Sequence, residues 1–464
     1  MTTSEAAAPQ EAVEKAVSPG YRYYVLGILI LIYMLNFLDR QIIGILAAPL
    51  KAEFGLSDSQ FGLLGGLAFA LLYSTLAIPI AWLADRVSRV WIMTAALTVW
   101  SGFTALCGVA GSFGQLFLCR MGVGIGEAGG VAPAYSLIAD YFPKSQRARA
   151  LAAYAFGIPL GMAAGTLVGG LLAATYGWRT AFIVVGVLGV LVAPILRLTI
   201  KDPTRGGMDA PAVVEAPKAA PVVQKAPPFG EVIKTLAPKP SFWLLAFGAA
   251  SSSVCGYGVA AWLPSFFMRS FDLTLSQTAW YYSAIVMVGG VAGIWLGGVM
   301  ADRLGKASKA AYPLTPAIAF LISVPCFLLA MNSPWLVQVL SLEGVALTVP
   351  FYGWKVDMAL ALAFLIFLIP TGLNLTWLGP ITAAVQHLAS PAMRTTASAL
   401  FLLINNLLGI AVGIYYFGWM SDLLRPAFGE ESLRWAIYTG MGFYLLSSAL
   451  LFGASRTLKK DWVD

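Results

Sequence analysis

Long apolar runs succeed one another along almost the whole chain, and they decide what it can fold into. A helix that crosses a bilayer needs about 20 apolar residues, and most runs here reach that length. The runs are continuous rather than alternating, so we expect helices and not the strands of a β-barrel. Only 11% of the 464 residues are charged, against about 25% in soluble domains. This excludes a water-soluble enzyme and a disordered chain.

The apolar runs predict an all-α membrane protein with twelve transmembrane helices in two sets of six. The first set covers residues 23–50, 61–84, 90–110, 115–141, 148–174 and 179–199, and the second covers 242–268, 277–301, 309–331, 358–387, 395–420 and 433–455. The long, partly apolar segment 332–357 is either a re-entrant piece or an outer hairpin.

These spans imply a simple domain organisation. Residues 201–240 are rich in Pro, Ala and Lys without a helical period, which indicates a solvated linker. We therefore predict a disordered cytoplasmic tail at 1–20, an N-terminal six-helix bundle at 21–200, a cytoplasmic linker at 201–240, a C-terminal six-helix bundle at 241–456 and a short cytoplasmic tail at 457–464.

Basic residues are concentrated in alternate loops. With the N-terminus placed inside, the inner segments collect most of the 29 Lys and Arg residues, as the positive-inside rule requires for an even number of spans. We therefore expect a multi-pass protein of the plasma membrane, the inner membrane in a bacterium, with both termini cytoplasmic. The net charge of +7 comes from these basic inner loops. It is therefore no sign of nucleic-acid binding, and we predict no nucleic-acid partner.

The sequence lacks the motifs that are typical of enzymes and of metal or cofactor sites. The four cysteines lack metal-ligand spacing, and His387 is the lone histidine. The sequence holds no Walker motif, no HExxH and no paired Ser/His arrangement. We predict no cofactor, no metal site, no catalytic residue and no enzyme activity.

Two stretches that follow the second span of each half resemble one another. Residues 81–89 read AWLADRVSR and residues 298–306 read GVMADRLGK. A matched Asp–Arg pair indicates a parallel duplication, as in transporters that rock one bundle against the other. The alternative is that any inner loop holds Arg beside a turn, which explains the basic residues but not the pair.

The chain resembles the major facilitator superfamily over its full length. The two stretches look like that family's loop motif, with Ala81 and Ser88 where glycine is usual. RMGVGIGEAGG at 120–130 and YFPKSQRARALA at 141–152 resemble its fourth-span motif and the following loop. The resemblance implies two six-helix bundles that work by alternating access.

The repeated pair supplies the candidate gating residues, which are Asp85, Arg86, Asp302 and Arg303. A helix N-terminus carries partial positive charge, so we expect Asp85 to dock at the start of span eleven, near 391–395. Asp302 would dock in the same way on span five, near 147–150. Such contacts would close the inner face and stabilise an outward-open state.

Four charged residues lie inside otherwise apolar spans: Asp39, Arg40, Arg120 and Glu127. Each costs about 2.5–3.5 kcal/mol at the bilayer centre, so a use or a mutual pairing is expected. A rise of 1.5 Å per residue places Asp39 and Glu127 at similar depths, roughly 16 and 18 Å from the outer side. The group forms either a proton and anion site or an ion pair that fixes spans one and four, and the two readings are compatible.

The resemblance narrows to the Spinster branch of the superfamily through NFLDRQIIGIL at 36–46 and GIGEAGG at 124–130. That branch is linked to export of lysolipids and sphingosine phosphates. The similarity implies that Asp39 and Glu127 are the proton-coupling acids. It also implies that Arg40 and Arg120, with Asn36 beside them, bind the substrate.

The second half carries few charges but many Pro and Gly residues in spans seven and ten. Broken helices at membrane depth usually line a cavity, so Asn374 and Trp377 of span ten are further substrate-binding candidates. The alternative is that Pro and Gly are simply frequent in membrane helices. Asn405 and Asn406 are expected to make interhelical hydrogen bonds.

We therefore predict a proton-coupled secondary transporter that exports lysolipids or related amphipathic anions, with protons and membrane lipids as its other partners and a monomer as its state. The alternatives are a proton-linked importer of small organic anions such as sugar acids, or a multidrug exporter. An apolar wall in the second half of the cavity would favour the first prediction, and a wall of many polar groups would favour the importer.

Overall fold

The computed structural model describes residues 18–205, 208, 229–348, 355–390 and 393–463. The predicted N-terminal tail up to residue 17 and most of the predicted linker lie outside the described residues. So do residues 391–392 and the side chain of Asp302. We call the side of the bundle where span one starts and span twelve ends the inner face. The opposite side is the outer face.

The first half contains spans one to six. Span one is Pro19–Ile45, followed by a short outer helix, Ala47–Phe54. The remaining five are Asp58–Gly65 with Leu67–Ala84, Arg89–Cys107, Phe113–Glu127 with Val131–Tyr141, Lys144–Ala155 with Gly157–Tyr176, and Trp178–Thr199.

The second half contains a short helix, Phe229–Leu236, and spans seven to twelve. These spans are Pro240–Ser270, Leu275–Ala307, Ala311–Met331, Met358–Leu373 with Leu378–Gln386, Arg394–Phe428 and Ser432–Asp461. Ten stretches of the described residues are long and apolar enough to cross a membrane, and the stretch 396–461 holds both span eleven and span twelve. With the two-part span four, the helices are consistent with the predicted twelve.

Spans two, four, five, ten and eleven are interrupted, and the interruptions of spans four, ten and eleven are the widest. Span four is broken after Glu127, and span ten is broken between Leu373 and Leu378. In span eleven, Leu407–Val412 forms a π-helix, a wide turn that is frequent at functional sites. Span seven, which is also rich in Gly and Pro, is not interrupted, because Pro240–Ser270 runs as one helix through Pro264.

The segment between spans nine and ten is an outer hairpin, not a re-entrant piece. It consists of the helix Ser333–Val339 and two short strands, Ala346–Thr348 and Lys355–Asp357. The strands pair antiparallel, with Ala346 opposite Asp357. The Asp357 side chain then accepts a hydrogen bond from the Leu360 amide and caps span ten.

The two halves approach each other closely toward the outer face. A Cβ on Gly62 of span two would lie 2.9 Å from the Cα of Tyr415 in span eleven, and a Cβ on Gly44 would lie 2.9 Å from the carbonyl oxygen of Ala261 in span seven. Only glycine permits these distances without a shift of the backbone. Gln41 adds a hydrogen bond of 3.0 Å to the Ala260 carbonyl oxygen.

The buried Arg89 stabilises the inner end of the first half through hydrogen bonds and ion pairs. Arg89 donates to Asp202 Oδ1 at 2.8 Å, to Ser136 Oγ at 2.8 Å and also to Asp140. Burial raises the pKa of the Asp202 carboxyl, but the hydrogen bonds from Arg89 outweigh this effect and lower its pKa below the usual value. The start of the linker is thereby tied to spans three and four.

Replacing Arg89 by Met should lower the melting temperature by several degrees, because the change leaves Asp140 and Asp202 without their common cation. Replacement of the exposed Arg149 by Met is the matched control. Because the pKa of Asp202 is lowered, its contribution is present above the unfolded pKa, about 3.9, and is lost as the pH falls through the folded pKa. In detergent at neutral pH, the Arg89→Met variant should therefore melt at a lower temperature than the Arg149→Met variant. Equal melting temperatures would contradict this role of Arg89.

Candidate substrate and proton site

A cavity of about 740 Å³ lies between the two halves. Its first-half wall includes Tyr33, Phe37, Arg40, Tyr73 and Tyr135, and it extends toward the inner face as far as Leu151 in span five and Gln386 in span ten. Among the described lining residues, Arg40 is the only one that carries a charge. A volume of this size accommodates a small-molecule ligand.

Arg40 joins the cavity to a buried acid. Its Nε donates to Glu127 Oε2 at 2.7 Å, and the Glu127 side chain is fully buried. The guanidinium also lies over the rings of Phe37, Phe69 and Tyr73, with 4.4–5.0 Å between Cζ and the ring centroids. Aromatic faces attract a cation and hold its orientation. Arg40 Nη2 is buried and has no hydrogen-bond partner within the described part of the chain.

Asp39 and Arg120, the other two charged residues, are not joined by a side-chain ion pair of the Arg40–Glu127 kind. Arg120 Nη1 reaches the main-chain oxygen of Asp39, at 3.4 Å, rather than its carboxylate. Asp39 and Arg120 are 2% and 1% exposed, and Asp39 does not line the cavity among the residues described. Asn36, also buried, lies beside Glu127. The structure thus brings all five predicted first-half residues into one cluster, with Arg40 alone facing the cavity.

The second-half candidates line the opposite wall. Asn374 Oδ1 accepts a hydrogen bond of 2.9 Å from the Tyr444 hydroxyl, and the Trp377 ring packs near Phe401. Asn405 Oδ1 accepts one of 2.8 Å from Ser253 of span seven, the interhelical bond expected of it. The wall is mixed, because apolar side chains alternate with uncharged polar ones.

The predicted inner contacts are not made among the described residues. Asp85 and Arg303 are exposed. Arg86 donates to the carbonyl oxygen of Trp82, at 2.9 Å, and its guanidinium lies 3.6 Å from the centre of the Trp82 ring. The gating role of these residues stays a prediction that concerns the opposite, outward-open state.

The outer face carries the contact that sequence reasoning missed. Asp58 at the start of span two is buried and receives both terminal nitrogens of Arg269 of span seven, at 2.7 and 2.9 Å. Lys51 and Ser421 also donate to it. Asp422 of span eleven accepts the main-chain N–H groups of Asp58 and Ser59, at 3.1 and 2.7 Å. An aspartate does dock on a helix N-terminus across the halves, but it does so at the outer face.

The family model described as Major Facilitator Superfamily matches residues 29–414. The chain belongs to the major facilitator superfamily. An MFS-type efflux pump of Mycolicibacterium smegmatis is 32% identical over 463 residues, which cover 98% of this chain and 99% of that protein. Protein spinster homolog 1 of Homo sapiens is 28% identical, over 96% of this chain and 84% of that protein.

A solved structure supports the same placement within the superfamily. The crystal structure of a bacterial homolog to the human lysosomal transporter Spinster, in an inward-facing and unoccupied conformation, gives a TM-score of 0.77 at 31% identity. The match covers 96% of this chain and 99% of that one. The present chain is a Spinster-type transporter of the superfamily, a multi-pass membrane protein and not an enzyme.

Replacing Arg269 by Met should open the outer face, because Asp58 then loses a bidentate partner in a buried site. We expect the outward-open population to rise at least about tenfold. The measurement is the rate at which a maleimide labels a cysteine introduced at Ile414, which is buried between the halves against Gly65.

Replacement of Arg425 by Met is the matched control, because Arg425 pairs with Glu430 at the same face but is exposed. Equal labelling rates in the two variants would show that the Asp58–Arg269 pair does not hold the outer face closed.

Proposed function

We propose that the chain is a proton-coupled transporter that exports lysolipids or related amphipathic anions by alternating access. The observation that carries this proposal is the position of Arg40, which joins an aromatic cavity on one side to the buried Glu127 on the other. A substrate anion and a proton can therefore act on the same ion pair.

The headgroup end of the cavity is suited to an anion. Arg40 supplies a permanent cation whose planar fork matches phosphate or carboxylate, and the described residues of the cavity wall supply no second charge. The rings beneath Arg40 prevent it from turning away. An anionic headgroup is the chemistry that this end recognises.

The rest of the cavity is suited to an apolar tail. Phe327, Leu375, Trp377 and Phe401 line its second-half wall. An acyl chain packed there gains the hydrophobic free energy of burial, and the headgroup stays at Arg40. Export as the direction is supported by the efflux pump of M. smegmatis, a relative of similar length.

Coupling follows from competition for Arg40. A substrate anion that binds Arg40 competes with the Glu127 carboxylate for the same guanidinium, so substrate binding and the protonation state of Glu127 are linked. Asp39, held near Arg120, is the second acid of the same cluster. Substrate and proton binding are linked without contact between the two ligands.

The uncharged polar side chains of the second-half wall favour a second candidate function. Thr382, Gln386, Asn374 and Ser398 line the cavity and provide hydrogen bonds for a compact hydroxylated anion such as a sugar acid. An importer of such anions, or a multidrug exporter, would use the same Arg40. A thermal-shift screen of lysolipids against sugar acids separates these functions, since a ligand of the folded state raises its apparent stability.

We also propose the setting in which this transport takes place. The protein acts as a monomer in the plasma membrane, the inner membrane of a bacterium, with both termini cytoplasmic. The bundles at 21–200 and 241–456 rock about the central cavity, joined by the linker at 201–240. The positive-inside distribution of Lys and Arg supports this orientation.

Replacing Asp39 by Asn or Glu127 by Gln should abolish uphill transport driven by a proton gradient, while binding of substrate is retained, because each change removes a titratable group but keeps a side chain of equal size. Glu53→Gln is the control, since Glu53 is a half-exposed acid that pairs with Arg179 outside the cluster. The assay is uptake of labelled lysophosphatidate into liposomes with an imposed pH gradient. Full uphill transport in both variants would refute the coupling.

Replacing Arg40 by Lys should weaken binding of lysophosphatidate by about tenfold, because an ammonium replaces a planar, bidentate donor. Binding of a neutral monoacylglycerol should change little. The ligand-induced rise in melting temperature measures both. An equal loss for the two lipids would mean that Arg40 shapes the cavity and does not select the charge.

A further inference from the structure

A second, small cavity of about 40 Å³ lies between the two halves, next to the central cavity. Arg40 borders both cavities. The charged side chains of the small cavity are Arg40 and Arg120, and no acid lines it among the residues described. A single buried water requires roughly 10–15 Å³. The small cavity therefore has room for a monoatomic ion but not for a lipid headgroup or a sugar acid.

Arg120 is a buried cation without a counter-charge. It is 1% exposed, and within the part of the chain that the structure describes it makes no ion pair. Its hydrogen bond to the main-chain oxygen of Asp39 is long, at 3.4 Å, and its Nε has no partner among the described residues. Arg120 is also not among the described residues that line the central cavity. A lone guanidinium inside a membrane is strongly disfavoured, so a counter-charge is needed at the small cavity.

Two like charges meet at the ring of Phe69, which also lines the small cavity. The Cζ atoms of Arg40 and Arg120 lie 4.9 and 5.6 Å from the centroid of this ring. Glu127 neutralises Arg40 on one side through the bond to Nε. The repulsion between the two guanidinium groups is greatest where the dielectric is low. An anion between them lowers the energy of both.

We propose that the small cavity binds a monoatomic anion of one charge, such as chloride, between Arg40 and Arg120. The proposal goes beyond the transport function, because it requires neither proton coupling nor a particular substrate. It assigns Arg120 to this ion and leaves the substrate anion to Arg40 in the central cavity. Tyr257 of span seven also lines the small cavity and brings a hydroxyl group to it.

The small cavity is built by both halves of the chain. Gln41 of span one and Ala260 of span seven line it and are joined by a hydrogen bond of 3.0 Å. Gly65 of span two lines it together with Ile410 and Ile414 of span eleven. These are the spans that approach closely toward the outer face. A bound anion is therefore shared by the two halves, and it stabilises their contact on that side.

The first test is the melting temperature of the purified protein in sodium chloride and in sodium gluconate of equal ionic strength, without substrate. Gluconate is too large for the small cavity. Chloride and bromide should each raise the melting temperature by about 3 °C or more relative to gluconate, because an ion that binds only the folded state stabilises it. The rise should be lost in Arg120→Gln.

Arg179→Gln is the matched control, because Arg179 is a half-exposed arginine that pairs with Glu53 at the outer end of the first half. This variant should keep the full response to chloride. General salt effects on stability act on every variant alike. An equal rise in wild type, Arg179→Gln and Arg120→Gln would therefore overturn the proposal, and so would equal melting of the wild type in the two salts.

A second variant keeps both arginines. Ile414 lines the small cavity, and Ile414→Phe places a larger side chain in its wall. This variant should also lose the response to chloride, and it decides the matter if Arg120→Gln does not fold. A response of wild-type size in Ile414→Phe would contradict binding in this cavity.

The ion can also be located directly. Crystals grown in bromide should show an anomalous peak between the guanidinium groups of Arg40 and Arg120. A water without anomalous signal at that place would overturn the proposal. None of these measurements uses a substrate or a proton gradient. Failure of the proposed coupling would therefore leave them unchanged, and failure of the anion site would leave the transport assays unchanged in their meaning.

Discussion

The ion pair between Arg40 and Glu127 is the constraint on which the rest of the site depends. In a membrane interior neither charge is tolerated alone, so spans one and four are held in one register by the bond of 2.7 Å between them. The same register places Arg40 over the rings of Phe37, Phe69 and Tyr73. The pair stabilises the first half and is also the group that a substrate anion would disturb.

The features that follow from the physics of the bilayer were predictable from the sequence. Apolar length predicted the helices, and the rarity of intramembrane charge led to Asp39, Arg40, Arg120 and Glu127, which the structure places in one cluster. Which charge meets which was not predictable. Arg40 pairs with Glu127 and Arg120 reaches the Asp39 main chain, because side-chain rotamers, not depth or helical angle, decide between partners that are all within reach.

The outer contact shows a different limit. Asp58, Arg269 and Asp422 lie at the ends of spans, where charged residues are ordinary, so nothing in the sequence separates them from solvated loop residues. Their significance appears only when the two halves are brought together and Asp58 becomes buried. The same contact was expected of Asp85 at the inner face, where this residue is exposed. The face that holds such a contact could therefore not be assigned without the structure.

The π-helix of span eleven sets the relative orientation of two contacts that this span makes. Leu407–Val412 separates Asn405, which bonds to Ser253 in the cavity wall, from Asp422, which docks on span two at the outer face. Deletion of one residue within that wide turn would restore the ordinary repeat and rotate one contact by about 100° relative to the other. The number of residues between these two contacts, on opposite sides of the π-helix, is therefore fixed. Among relatives, insertions or deletions in this part of span eleven should be rarer than substitutions.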